Sequence, residues 1–179
     1  MSTSSRSPSP GVDRDLTLEI VRDEGVCGDW LNRFARNPET NEILYYLDVF
    51  DDSNVEIHRG NKYGPVIARS RMCRSNPRAT DLLITDPRSL TRLEHIHHDD
   101  RTHATHFVGN GQKYHWSGSE LVDDSTGTVL AEMSSAKDTL HRKSGKLVIK
   151  AGAFQNLTDP IVMTAMIVQE RADESKSYF

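Results

Sequence analysis

The segment at residues 160–171 constrains the fold more than any other part of the chain. Residues 161–168 read Ile-Val-Met-Thr-Ala-Met-Ile-Val, so a helix here would be almost wholly apolar around its circumference. Such a helix has to be buried on every side. Asp159 suits an N-cap and Pro160 suits the first helical position, which favours a helix that begins here. At 1.5 Å per residue it would be about 18 Å long, which is too short to span a membrane.

The competing interpretation of this segment is a fully buried strand, because Ile and Val are β-branched and favour strands. Residues 169–174 read Gln-Glu-Arg-Ala-Asp-Glu and mostly favour helix, so the pattern favours one continuous helix. A short helix that is apolar all round needs an enclosure, and the rest of the chain has to supply it.

The remainder of the chain reads as about ten short strands separated by turn residues. Such regular spacing, near ten residues per strand, is typical of a β-sandwich or β-barrel. Residues 29–35 are ambiguous between a short helix and a strand, and we favour the strand because turn residues follow. The other predicted strands are 16–21, 43–50, 55–58, 65–71, 81–85, 105–108, 113–116, 120–123, 128–134 and 146–151.

The ends of the chain differ in composition from its middle. Residues 1–14 are rich in Ser, Pro and Arg and poor in apolar side chains, so we expect them to be disordered. Residues 173–179 are predicted to be a second short tail. One domain is therefore expected over residues 15–172, which is long enough to bury a substantial core.

Composition excludes several classes of protein. The formal net charge is −4, which does not favour nucleic-acid binding. The N-terminal residues have no apolar stretch that could act as a signal peptide, and no apolar run is long enough for a transmembrane segment. Two cysteines in 179 residues are no disulfide framework. We expect a protein of the cytoplasm, or the nucleus, that is not secreted.

Many short antiparallel strands followed by one terminal helix that is apolar all round resemble the tubby C-terminal-like superfamily, which includes tubby proteins, LURP-one-related proteins and phospholipid scramblases. Five motifs, in their order along the chain, look closer still to a fungal branch of it. The motifs are Leu44-Tyr45-Tyr46-Leu47, Gly64-Pro65-Val66-Ile67-Ala68, Tyr114-His115-Trp116 before Leu121, Gly145-Lys146-Leu147-Val148-Ile149 and Asp159-Pro160-Ile161-Val162. The resemblance covers residues 15–172.

This resemblance implies a closed antiparallel β-barrel of about ten to twelve strands around a central C-terminal hydrophobic α-helix. Tubby proteins bind phosphoinositides through basic surface residues, but that site has no residue-by-residue match in this sequence. The fold is therefore an expectation from the resemblance, and function does not follow from it.

A local basic segment extends over residues 59–78 of this acidic chain. It has six basic side chains and no acidic one: Arg59, Lys62, Arg69, Arg71, Arg74 and Arg78. Arginine and lysine suit phosphate groups, so the segment could bind an anionic lipid headgroup or a phosphorylated partner. The simpler interpretation is a solvated face with scattered ion pairs.

A histidine-rich segment extends over residues 94–106. It holds five of the eight histidines of the chain: His95, His97, His98, His103 and His106. Imidazole and carboxylate groups suit zinc and other first-row metals, although no catalytic metal motif is present. The simpler interpretation is a polar loop between strands.

Three functions stay open from the sequence, and only the second involves a cofactor, which would be a metal ion. The first is a non-enzymatic module that binds an anionic membrane lipid or a phosphorylated partner through the basic segment. The second is a metal-binding protein or metal-dependent enzyme that uses the histidine-rich segment. The third is a structural or protein-interaction domain. The absence of a recognisable nucleophile motif or phosphate-binding loop favours a binding role over an enzyme.

Overall fold

The computed structural model describes residues 14–23, 32–49, 54–72, 79–84, 93–99, 104–109, 111–135 and 144–174. Within these residues the chain forms twelve strands, a 3-10 turn at Ala151–Ala153 and one α-helix, α1, at Phe154–Glu174. The strands are β1 Leu16–Arg22, β2 Arg33–Arg36, β3 Ile43–Val49, β4 Asn54–Arg59, β5 Val66–Met72, β6 Ala79–Ile84, β7 Leu93–Asp99, β8 Ala104–Gly109, β9 Gln112–Ser117, β10 Glu120–Asp123, β11 Val129–Ser135 and β12 Ser144–Ile149.

Each strand pairs antiparallel with the strands that precede and follow it in the sequence. The first strand also pairs with the last, since Leu18 of β1 lies opposite Leu147 of β12 while Ile20 lies opposite Ala35 of β2. The order of neighbours therefore returns to β1 after β12. The predictions of a mainly β chain, antiparallel pairing and a single C-terminal helix are confirmed.

Alternation along the strands separates an inner face from an outer face. Successive side chains of a strand point to opposite sides. In β9, Tyr114 and Trp116 are both 1% exposed, whereas His115 between them is only partly buried. In β12, Leu147 and Ile149 are fully buried and Lys146 is exposed. The inner faces of β1–β5 and β8–β12 form one hydrophobic cluster with the helix.

The middle of α1 is buried on all sides, as the sequence predicted. Every residue from Ile161 to Ile167 has 0% exposure, which a helix lying on an outer surface could not achieve. The helix also passes close to β12 at Gly145. A Cβ atom at this position would lie 2.8 Å from Nε2 of Gln169, so only glycine fits there without displacing that side chain.

The predicted start of the helix is wrong. The helix begins at Phe154, so Asp159 is not its N-cap and Pro160 lies in its interior. Proline has no N–H to donate to the carbonyl of Asn156. The carboxylate of Asp159 contacts the strands instead of the helix terminus, as described below. The 21 residues of α1 span about 31 Å at 1.5 Å per residue, longer than the predicted 18 Å.

Other boundaries also changed. The histidine-rich segment is not a loop throughout, because residues 93–99 form β7. Of residues 29–35, the strand interpretation holds for residues 33–35, which belong to β2, while residues 29–31 lie outside the described residues. The predicted C-terminal tail begins too early, since α1 continues to Glu174. The predicted N-terminal tail lies outside the described residues except for Arg14.

Among the described residues, no helix has the combination of length and apolarity that crossing a membrane requires.

One hydrogen bond joins the strands to the buried helix directly. The indole N–H of Trp116 donates to Oγ1 of Thr164 over 3.0 Å, and both side chains are buried. The Thr164 hydroxyl in turn lies 2.8 Å from the carbonyl oxygen of Pro160. Threonine therefore satisfies an indole donor that would otherwise be buried without a partner.

We predict that Thr164→Val destabilises the fold by about 1–3 kcal/mol, the cost of leaving a buried donor unsatisfied. Urea unfolding followed by Trp fluorescence measures the change. Thr17→Val, at a half-buried position of β1, is the matched control, and we expect it to change stability by no more than about 0.5 kcal/mol. A Thr164→Val variant as stable as the wild type would contradict this packing of the helix.

Candidate functional site

The structure places four of the six predicted anion-binding residues. Arg59 ends β4, Lys62 lies in the turn between β4 and β5, and Arg69 and Arg71 belong to β5. Arg74 and Arg78 lie outside the described residues, and only the backbone of Arg71 is described. The side chains of this predicted site that the structure describes are those of Arg59, Lys62 and Arg69.

Arg59 faces the helix and not an external ligand. Its Nη1 and Nη2 donate to the two carboxylate oxygens of Asp159 over 2.8 and 2.6 Å, a bidentate pair. Nη1 also donates to the hydroxyl of Tyr45 over 3.0 Å. The guanidinium carbon lies 5.0 Å from the centre of the Tyr45 ring. This junction fastens β3 and β4 to α1, so Arg59 has a structural role.

Burial and hydrogen bonding fix the protonation states in this junction. Burial, together with the neighbouring Asp159 carboxylate, raises the pKa of Tyr45, so its hydroxyl stays protonated and donates to that carboxylate. Burial opposes ionisation of Asp159, but hydrogen bonds from Arg59 and Tyr45 outweigh it and lower the pKa of the carboxyl group. The junction therefore pairs a full negative charge with a full positive charge.

We predict that Asp159→Asn destabilises the fold at pH 7 by about 1.5–3 kcal/mol, the range for hydrogen bonds to charged groups. The loss should fall in the lower part of that range, because the Arg59 side chain is 38% exposed. Since the pKa of Asp159 is lower in the folded chain than in the unfolded one, its stabilisation is complete above the unfolded pKa and is lost as the pH falls through the folded pKa. Urea unfolding at several pH values measures both effects.

Arg69→Gln is the control for the Asp159 variant. Arg69 forms an ion pair with Glu56 over 2.8 Å, but its side chain is 63% exposed. Its removal should change stability by no more than about 1 kcal/mol. If Asp159→Asn cost no more than Arg69→Gln, or if its effect did not vary with pH, the structural role of the junction would be refuted.

The turn between β4 and β5 presents exposed side chains in the described part of the basic segment. Lys62 is exposed, and Tyr63 is 84% exposed, the one large hydrophobic residue so exposed among those described. The Lys62 ammonium lies 5.1 Å from the centre of the Tyr63 ring. Both side chains therefore stand at the tip of a hairpin, where a partner can reach them.

The backbone of this turn is well fixed. The N–H of Tyr63 donates to the side-chain oxygen of Asn61 over 2.9 Å, and the N–H of Gly64 donates to the carbonyl of Asn61 over 2.9 Å. A Cβ atom at Gly64 would lie 1.8 Å from the carbonyl oxygen of Arg59, so no other residue fits. These contacts hold Lys62 and Tyr63 at a defined position.

The histidine-rich segment is distributed over two strands. His95, His97 and His98 belong to β7 and His106 belongs to β8, while His103 lies outside the described residues. Only the backbone of β7 is described. Its register places His97 opposite His106, and His98 opposite Thr105. The structure therefore brings one of the predicted β7 positions next to His106.

The described side chains reveal a cluster that the sequence did not predict as a site. His106 lies opposite His115 of β9, and their ring centres are 5.4 Å apart. Nδ1 of His115 lies 2.5 Å from Oδ1 of Asp124, which follows β10. One potential ligand atom from each of His106, His115 and Asp124 lies within 4.8 Å of the others. We call these three residues the His–His–Asp cluster.

The sequence did contain a signal for the first half of this cluster. His106 stands four residues before Asn110 and His115 four residues after Gly111, and the dipeptide Asn-Gly is a strong sequence signal for a hairpin turn. Positions equidistant from a two-residue turn face each other across the hairpin. Asp124 belongs to the next strand connection, so its proximity depends on the register of a second hairpin.

Comparison with protein-family models, with curated proteins and with solved structures finds no match to this chain. The resemblance to the tubby C-terminal-like superfamily therefore stays a prediction from the order of the sequence motifs.

Proposed function

We propose that this chain is a non-enzymatic binding module that docks on anionic membrane surfaces through the turn at residues 60–64. The observation that carries the proposal is the exposure of Tyr63, at 84%, beside the exposed Lys62. A tyrosine ring is apolar with a polar tip, which suits the interface between lipid tails and headgroups. Lysine next to it is attracted to anionic lipids by about 1 kcal/mol.

The geometry favours a lipid surface over a phosphorylated peptide. A phosphopeptide needs several cationic groups that converge on one phosphate. In the described part of the basic segment, Arg59 is bound to Asp159, and Arg69 is bound to Glu56. Lys62 and Tyr63 stand together at a tip, and such a pair can contact a flat, extended surface of negative charge without a pocket.

This proposal also accounts for how the turn is built. Its backbone is held by Asn61 and by the close approach of Gly64 to Arg59. A turn whose tip is already ordered loses little conformational entropy on binding. With one lysine and one tyrosine at the tip, affinity should be modest and should fall as salt screens the charges.

We predict that the full-length chain co-sediments with vesicles of phosphatidylcholine and phosphatidylserine at low salt, and less with phosphatidylcholine alone. Lys62→Glu should reduce binding by roughly tenfold or more, because it replaces one attraction of about 1 kcal/mol by a repulsion of similar size. Tyr63→Ser should also weaken binding, and its effect should persist at higher salt because the ring contributes apolar contact.

Lys113→Glu is the matched control, because it makes the same change of net charge at an exposed lysine on β9. We expect it to bind the vesicles nearly as well as the wild type, because Lys113 lies outside the turn at residues 60–64. If Lys62→Glu and Lys113→Glu reduced vesicle binding equally, the attraction to the membrane would be non-specific and the proposal would be wrong. Absence of vesicle binding by the wild type at low salt would also overturn the proposal.

A further inference from the structure

We propose that the His–His–Asp cluster is a binding site for a first-row divalent transition-metal ion such as Zn²⁺. The site lies on β8, β9 and the end of β10, so it is independent of the turn at residues 60–64. Its three groups offer two imidazole nitrogens and one carboxylate oxygen, a set of ligands that suits zinc, copper and nickel. Magnesium and calcium prefer sites made of oxygen ligands alone.

The strand register brings these ligands together without any loop rearrangement. His106 and His115 are directly opposite each other in the β8–β9 pair, on the outer face. His115 lies opposite Val122 of β10, and Asp124 is two residues further on, so it returns to the same face. Three neighbouring segments of chain therefore each contribute one ligand.

The distances are compatible with a metal after small side-chain movements. Ligand bonds of about 2.0–2.1 Å place the donors of a tetrahedral zinc ion about 3.4 Å apart. The candidate atoms already lie within 4.8 Å of one another, and one pair, Nδ1 of His115 and Oδ1 of Asp124, is 2.5 Å apart. The His115–Asp124 pair has to separate by roughly 1 Å and any pair farther apart than about 3.4 Å has to approach, and rotation of the three side chains can achieve both.

The cluster is accessible to an ion but not fully solvated. The side chains of His115 and Asp124 are 27% and 31% exposed, and His106 is also partly buried. Partial burial limits the freedom of the ligands, while the open side leaves a coordination position for water or another ligand. Three protein ligands with one exchangeable position make an open site, unlike the four protein ligands of a closed structural zinc site.

Asp123 ends β10 and Asp124 follows it, and the two carboxylates have different hydrogen-bond partners. This difference supports a ligand role for Asp124. Oδ1 of Asp123 accepts hydrogen bonds from Oγ and N–H of Ser125 over 2.6 and 2.8 Å, and thereby shapes the turn. The carboxylate of Asp124 faces His115 instead. The turn therefore does not depend on the Asp124 carboxylate, and an ion bound between the two side chains would replace the hydrogen bond between Asp124 and His115.

The register adds a neighbouring histidine to the same row. His97 of β7 is opposite His106, just as His106 is opposite His115. The backbone thus aligns three histidine positions across three adjacent strands. This arrangement links the cluster to the histidine-rich segment, although the proposed ligand set is complete without His97.

The test is calorimetric titration of Zn²⁺ into the full-length chain, prepared without a polyhistidine tag and freed of metal with a chelator. We expect one tight site per chain. His106→Ala and His115→Ala should each weaken it by roughly 100-fold, the upper end of losses seen even for residues that only support a ligand. Asp124→Ala should weaken it by at least about tenfold, and excess Mg²⁺ should not compete.

Two control variants separate this site from other zinc-binding groups. Glu120→Ala removes an exposed carboxylate of β10, and His141→Ala removes a histidine from another part of the sequence. Both should keep the affinity of the wild type. Circular dichroism and urea unfolding without zinc establish whether each variant is folded. If one of the three ligand variants does not fold, the other two still test the site.

A second signature distinguishes coordination from loose association. Co²⁺ bound by two imidazoles and a carboxylate absorbs visible light with an intensity that depends on its geometry, and Zn²⁺ should displace it. Zinc should also raise the melting temperature of the wild type but not of His106→Ala. No tight Zn²⁺ site in the wild type, unchanged affinity in the ligand variants, or an equal loss in His141→Ala would overturn the proposal.

Discussion

The complete burial of Ile161–Ile167 is the constraint on which the rest of the structure depends. A helix without a polar face is stable in water only when other elements cover it on every side. Twelve described strands each pair with two neighbours, and β1–β5 and β8–β12 provide inner faces rich in Leu, Ile, Tyr, Phe and Trp that form one cluster with this helix. Because core side chains occupy these inner positions, binding chemistry is left to the outer faces and the turns.

Polar contacts fix the position of the helix along and around its axis, because hydrogen bonds need a particular geometry and apolar packing is less directional. Trp116 reaches Thr164 near the middle of the helix, and Arg59 with Tyr45 reaches Asp159 one turn earlier. The two contacts come from strands on different parts of the sheet, β9 and β3–β4. In the second contact, Arg59 binds a carboxylate of the helix, although the sequence had predicted that it binds an external anion.

The sequence predicted most strands correctly because alternation and turn residues are local signals. The helix start was wrong because the local signal was misleading: Asp159-Pro160 has the pattern of a helix terminus, but Asp159 pairs with Arg59, 100 residues away. No local rule reveals such a pairing. The same contact removed Arg59 from the predicted anion site. The pairing of His106 with His115 had a local hairpin signal, but Asp124 joins them through the register of a second hairpin, which local motifs do not encode.

Hydrogen exchange tests the central claim most directly, by comparing the amides of Ile161–Ile167 with those of β9 and β12. If the helix is enclosed by the strands, its amides can exchange only when the strands open, so both should have the same free energy of exchange, close to that of global unfolding. Helix amides that exchange through a smaller opening, well before β9 and β12, would contradict the claim that the strands and the helix form one interdependent structure.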